Sequence, residues 1–527
     1  MRELIKGLTK KDWGFLAIVS LLLALIIFAP TAYGLLITPP DQQFTGIKMP
    51  HAGDYWVLFS RLEQSRQGHL FHQYLYSGEP SPRVLLFPFW SMAGLTGKAI
   101  GLTAQQTFYF FEIILIPVLI LGLYLLIGYF IKDRLWQKIT LLAVLFTTGS
   151  DWLFWQIFKE KFGWYGLGLN LPEANVFTAS HNSPHLIFIL AGICWLFICL
   201  FLLESSKKIR YSWLAGGLCF LIFLTHPYQI IPLLGIIGGY FFIAAVINKK
   251  RWLWLKSYPL LLLIIISGAY LFLLWHNFEF IRAWNINDRV GGYHGYNSAV
   301  FLISNFGLFL FFAVYKMVLI IKEKRIKEYL FLLVWLGVRL VAIFLPIQWR
   351  GKMILSLSIP IIILGGLGLM RFLKNKTYFF KVVAFWLIIT LTLPGGLYLI
   401  GYNIYLYQTN SRSINSEYYF SKELIDGFKW LKNIPADAVI LPVPHYGLIV
   451  PAYSGRKVYL GSPHETLNYP QKLEQAVKYF KGEIDREFII DNKIDYIFTD
   501  SLFKSFNREY LSPVYSNPEV KIYKVIR

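Results

Sequence analysis

The sequence predicts a helical, polytopic membrane protein of about eleven transmembrane spans, followed by a small α/β domain at its C-terminal end. Three observations carry that prediction. Apolar residues make up 56% of the chain and charged residues only 15%, where a soluble globule carries about a quarter charged. The apolar residues come in unbroken blocks, such as LLLALIIFA after Trp13 and LLLLIIISGAYLFLLW ending at Trp275. Basic residues return at every second connector between blocks, and from about residue 412 both patterns stop.

Blocks of about twenty apolar residues cross a hydrocarbon core of about 30 Å. In chain order, spans are expected at about 13–37, 105–131, 138–157, 184–203, 211–225, 229–247, 256–275, 299–321, 328–346, 353–370 and 379–405. The first block is too long for a signal-peptide core and lacks a small-residue cleavage site, so it reads as a retained span. The run 83–101 is apolar but broken by Pro88 and several glycines, and is expected to lie in the outer interface or re-enter it.

Orientation follows from the connectors. Arg2, Lys6, Lys10 and Lys11; Lys132, Arg134 and Lys138; Lys207, Lys208 and Arg210 belong to one set. So do Lys249, Lys250, Arg251 and Lys256; Lys322, Lys324, Arg325 and Lys327; Arg371, Lys374, Lys376 and Lys381. Positive-inside bias places that set, and the N-terminus, in the cytoplasm. An odd number of spans then puts the tail outside a plasma or inner membrane. The formal net charge of +21 is thereby a matter of topology, and no basic stripe interleaved with aromatics points to nucleic acid. Cys194, Cys199 and Cys219 all fall inside apolar spans, which excludes a disulfide framework or a CxxC metal site.

The tail divides the chain into a transmembrane domain, 1–411, with outer loops at about 38–104, 158–183 and 276–298, and an external domain, 412–527. There EYYFSKELIDGFKWLKN and QKLEQAVKYF have helical periodicity, while AVILPV, GRKVYLG, IDYIFTD and VKIYKVI read as strands. Helices alternating with strands predict a small α/β fold.

By this topology all ten histidines lie on the outer face. The first outer loop holds GDYW, in which Asp54 opens a helical stretch with Trp56, Phe59, Leu62 and Glu63 on one side. Such a helix suits the membrane interface. As an N-cap Asp54 needs no further function; as a carboxylate near the membrane surface, it is also a candidate catalytic group. The second outer loop ends in HNSPH and brings Glu173, Asn175, His181 and His185 as polar groups, with Pro184 disfavouring a helix that carries both histidines as metal ligands. THPYQ adds His226. The segment HNFEFIRAWNINDRVGGYHGYN combines Trp284 and Tyr293 with Arg282, Asp288 and Arg289, a mixture that suits sugar rings. In LPIQWRGK, Arg350 and Lys352 break the positive-inside rule, and an anionic phosphate accounts for cations kept on that face. Glu112, Asp151 and Arg339 lie within spans and are expected to form a buried pair.

Together these segments resemble the GT-C superfamily of membrane glycosyltransferases, which includes protein O-mannosyltransferases, aminoarabinose transferases and oligosaccharyltransferases. The resemblance rests on the long first loop with GDYW, on FTASHNSPH, on THPY between two short spans, on LPIQWRGKMILSLSIP, and on ELIDGFKWLKNIPADAVILPVPHYGLIVPAYSGRKVYLG in the tail. It implies transfer of a sugar from a polyprenyl-phosphate-linked donor to an acceptor on the outer face. It implies Asp54 as the general base or the group that orients the acceptor, and Arg350 as a contact to the donor phosphate. Glu173, His181, His185, His226 and Lys352 complete the expected substrate-binding set. The second outer loop lacks a DxD or ExD pair, so no cofactor is expected and a divalent cation finds no support there. A transporter or flippase of lipid-linked saccharides would instead show inverted repeats and midplane binding groups, and a silent scaffold would tolerate loss of Asp54.

Overall fold

The computed structural model describes residues 5–49, 51–154, 167–247, 250–277, 298–347, 349–411, 416–500 and 508–527. The chain divides into two compact units. The first gathers Met1–Ala29, Glu112–Phe272 and Gly292–Tyr402; the second gathers Pro30–Phe111, Leu273–Gly291 and Asn403–Arg527.

Among the described residues, eight helices are long and apolar enough to cross a membrane: Lys10–Leu36, Ala104–Phe130, Pro184–Ser206, Pro227–Ile247, Tyr258–Asn277, Ser298–Lys322, Arg350–Leu373 and Tyr378–Asn410. The chain is a multi-pass membrane protein. Three of the expected spans fall short of those criteria, so helix length does not establish the count of eleven. Arg210–Thr225 has 16 residues, and Ile326–Phe344 carries Lys327, Glu328 and Arg339. The span expected at 138–157 is a helix of only 13 residues, Arg134–Phe146. Thr147 turns extended, and Gly149 takes φ +90°, where a Cβ would stand 2.2 Å from Asn305 Oδ1. Asp151 therefore lies beyond that helix, in the 3-10 turn Asp151–Phe154.

The first unit is a helical bundle. Its apolar outer surface is large, with Ile265, Phe272 and Phe379 at 65%, 67% and 76% exposure, as expected where lipid replaces water as solvent. At its centre Ser358–Leu373 is buried almost throughout. Gly365 and Gly368 let this helix meet Ser298–Lys322 closely, since added Cβ atoms would lie 2.8 and 2.2 Å from the carbonyl oxygens of Phe309 and Phe312. Small residues at such crossings are the usual means of close helix approach in lipid.

The second unit joins the long first loop to the tail. Strand β1 (Gln42–Phe44) pairs antiparallel with β2 (Tyr419–Ser421). The main sheet has the order β4-β3-β5-β7-β6, with β3 (Val439–Pro442) parallel to β4 (Lys457–Val458) and to β5 (Tyr496–Asp500). Antiparallel β7 (Val520–Val525) and β6 (Leu511–Ser516) complete it. The expected tail helices appear as Lys422–Trp430 and Tyr469–Lys481. The apolar run 83–101 forms the helix Pro88–Ala99, packed on Ala52–Arg66 where a Cβ on Gly94 would come within 2.4 Å of Ser65 Cβ.

Candidate functional site

Asp54 belongs to the second unit. Its helix runs Ala52–Arg66, so the N-cap position is His51 and not Asp54, and no side-chain cap bond forms. Asp54 sits in the first turn, exposed, with its amide donating to the His51 carbonyl at 3.1 Å. A carboxylate there complements the helix dipole while facing solvent. The remainder of the helix is a core element of its unit and does not lie half in water, contrary to the interfacial helix expected from its stripe. Tyr55, Trp56, Leu58, Phe59 and Leu62 are buried, and Trp56 stacks on Phe420 with centroids 5.8 Å apart.

The charged and polar residues that follow are all provided with partners. Arg61 donates to Glu465 Oε1 at 2.7 Å and stacks on Phe87 at 3.7 Å. Glu63 takes Lys432 at 2.5 Å and Arg66 at 2.8 Å. His72 lies between the Leu86 carbonyl, 3.0 Å from Nδ1, and Ser65 Oγ, 2.9 Å from Nε2. Burial above all, with the charge of Arg61 adding, brings the His72 pKa down to about 4. The ring is neutral, its Nδ1–H donating to the carbonyl.

In the first unit four of the expected residues fall near one another, together with two that sequence reasoning did not assign to the site. Lys352 Nζ stands 3.0 Å from Glu173 Oε1. The Lys352 carbonyl accepts from Gln229 Nε2 at 2.9 Å, and Gln229 Oε1 accepts from Arg339 Nη1 at 2.9 Å. The same Nη1 donates to the Met353 carbonyl at 2.8 Å. His226 lies one turn before Gln229, whose amide donates to its carbonyl at 3.0 Å. The rings of His226 and His185 are 6.1 Å apart, and Ser183 Oγ is 2.6 Å from His185 Nδ1.

Arg339 forms no pair with Glu112 or Asp151. It is fully buried, and its Nε and Nη2 have no partner among the described residues. Glu173 Oε2 and His226 Nε2 are likewise buried without one. The sequence signal for Arg339 was its charge inside a membrane helix; Gln229 gave none. His181 is buried in the short helix Val176–Asn182, and Arg350 begins the 3-10 turn Arg350–Ile354 that carries Lys352. Asp151 Oδ2 accepts from the Gly168 amide at 2.6 Å, and Asn175 Nδ2 donates to Asn305 Oδ1 at 3.2 Å. No three His, Cys, Asp or Glu side chains converge as metal ligands among the described residues. The aromatic segment with Trp284, Asp288 and Tyr293 lies outside the described residues.

No family model and no curated protein matches the chain. Solved structures do. ArnT from Cupriavidus metallidurans, bound to undecaprenyl phosphate, is 11% identical, covers 98% of each chain and superposes with a TM-score of 0.50. The fold is GT-C-like. The oligosaccharyltransferase AglB from Archaeoglobus fulgidus, in complex with an inhibitory peptide and a dolichol-phosphate, is 13% identical over 93% of this chain and 70% of its own, with a TM-score of 0.50. The arabinofuranosyltransferase AftD from Mycobacteria is 14% identical over 98% of this chain and 40% of its own, at 0.53. At these identities the likeness is one of fold. Within this fold, Asp54 stands in one unit, and Glu173, His181, His185, His226, Arg350 and Lys352 in the other.

Proposed function

We propose that this chain is a membrane glycosyltransferase, moving a sugar from a polyprenyl-phosphate-linked donor to an acceptor on the outer face of the membrane. The observation that carries the reading is Arg339, a wholly buried cation with two nitrogens that have no partner among the described residues, bonded to the turn that presents Arg350 and Lys352. A cation withdrawn from water without a counter-charge is costly, and a phosphate oxygen is the ligand that fits. Solved GT-C-like proteins hold undecaprenyl phosphate or dolichol-phosphate, ligands of that chemistry.

In this reading the acceptor's nucleophilic atom attacks C1 of the sugar, and its proton passes to the Asp54 carboxylate. The bond from C1 to the phosphate oxygen breaks, and the polyprenyl phosphate leaves with the electron pair. Arg339, Arg350 and Lys352 stabilise the charge that develops on it. Glu173 holds Lys352 in place until the phosphate arrives, and the His185 and His226 rings offer hydrogen bonds to sugar or phosphate. The N-terminus and basic connectors face the cytoplasm, and the tail lies outside.

The test is Asp54→Asn, assayed by transfer of tritiated sugars carried on undecaprenyl phosphate into membrane acceptors at equal protein level. Loss of a general base lowers transfer by about 10²–10⁴. Transfer equal to the parent removes Asp54 from the chemistry.

A further inference from the structure

Arg61 stands seven positions after Asp54 on the helix Ala52–Arg66, two turns along the same face. Both members of its ion pair with Glu465 are withdrawn from solvent, at 10% and 7% side-chain exposure. The pair joins residues 404 positions apart in sequence. The guanidinium is held on its other face by the Phe87 ring, and Phe87 itself takes φ +60°, an unusual conformation for a bulky residue. The tail holds the same helix and its flanks at further points. Tyr76 Oη donates to the Trp56 carbonyl at 3.0 Å, while Thr466 Oγ1 donates to the Tyr76 carbonyl at 2.6 Å. Gln67 Nε2 donates to the Ser454 carbonyl at 2.9 Å.

A buried ion pair is a poor source of net stability, because desolvation offsets the Coulomb gain; its well-attested use is to fix register. Stacking alone would let this aromatic helix settle at neighbouring rotations about its axis. A single short contact between opposite charges does not. We propose that Glu465 of the tail is a positioning residue for Asp54: by gripping Arg61 it sets the rotation of the helix Ala52–Arg66, and so the direction in which the exposed Asp54 carboxylate projects. Burial pushes the Glu465 carboxyl up, Arg61 opposes this, and the Asp54 charge adds to the rise, so the two carboxylates sense each other. The tail is then part of the transfer machinery, and does more than display a surface. This rests on the reading of Asp54 as the base.

Three proteins test it: the parent, Glu465→Gln, which keeps size and an acceptor but removes the charge, and the swapped Arg61→Glu/Glu465→Arg. Turnover is counted per folded molecule with tritiated sugars on undecaprenyl phosphate, beside amide hydrogen exchange over 52–58. Glu465→Gln should lower kcat by about 10- to 100-fold, as expected when a reacting group is misplaced. KM for the donor should be unchanged, and exchange at Asp54 and Tyr55 should quicken. The swap should restore both. A purely structural role would instead lower the folded fraction and leave turnover per folded molecule at the parent value, which overturns the proposal. Unchanged exchange over 52–58 also overturns it, whatever the chemistry. Failure of the functional reading is a different result, in which Asp54→Asn transfers as well as the parent.

Discussion

Arg61 and Arg339 are both guanidinium groups withdrawn from solvent, one in each compact unit. Arg61 has a carboxylate at 2.7 Å and an aromatic face behind it. Arg339 has only a neutral amide and a carbonyl, and two of its nitrogens bond to nothing among the described residues. The contrast extends to their neighbours. Glu63 is satisfied twice over and His72 on both ring nitrogens, with Arg66 Nε the exception beside them, whereas Glu173 Oε2 and His226 Nε2 have no partner among the described residues. A satisfied buried charge is framework. An unsatisfied one in a membrane bundle is, on the proposed function, where the donor phosphate binds, because burial without a partner is costly.

If the second unit's charges are framework, breaking one pair should cost stability. Arg61→Ala strands Glu465 without its partner and should destabilise by about 3–5 kcal/mol. Replacing both partners, Arg61→Met with Glu465→Gln, should recover most of that loss. Chemical denaturation of the purified protein reads both, and equal stability of the single and double variants would deny the pair its framework role.

The second effect is one of pH. The folded pKa of His72 is about 4 against an ordinary 6.5, so folding is favoured by the neutral ring. Its contribution is fully present above pH 6.5 and is lost as the pH falls through 4. The difference of pKa corresponds to about 3 kcal/mol. Protection factors for hydrogen exchange over 65–87, corrected for the pH dependence of the intrinsic rate, should therefore fall on acidification through that window, and His72→Gln should flatten the dependence. A parent whose exchange protection ignores pH between 6.5 and 4 would contradict the buried neutral ring.

The smallest effect belongs to Arg350, half-exposed at the start of its turn. A charge-assisted contact contributes about 1.5–3 kcal/mol. Arg350→Ala should raise KM for the donor by about 10- to 100-fold at unchanged thermal stability, and unchanged kinetics would take Arg350 out of the phosphate site.

The membrane class and the tail's strands are legible because each leaves a local pattern: apolar blocks and short β-branched runs. What was missed is non-local. GDYW points to a helix start at Asp54, yet the helix begins at Ala52, because no side-chain cap marks the boundary. Strand β6 was hidden by Pro513, which an edge strand tolerates at an irregular register. Arg339 announced itself by its charge, but the partner expected of it was a carboxylate, and the structure supplies Gln229, a neutral residue in a turn. Glu465 gave no sign at all, since its meaning lies in Arg61, 404 residues away.

The most direct measurement is the affinity of undecaprenyl phosphate for the purified parent and for Arg339→Gln, taken with the thermal midpoint of each protein without ligand. If Arg339 waits for the donor phosphate, the variant should bind at least about tenfold more weakly, one charge-assisted hydrogen bond's worth. Its ligand-free midpoint should be equal or higher, because an uncompensated buried charge has been removed. A variant that binds as tightly as the parent but melts earlier would show that Arg339 is framework after all.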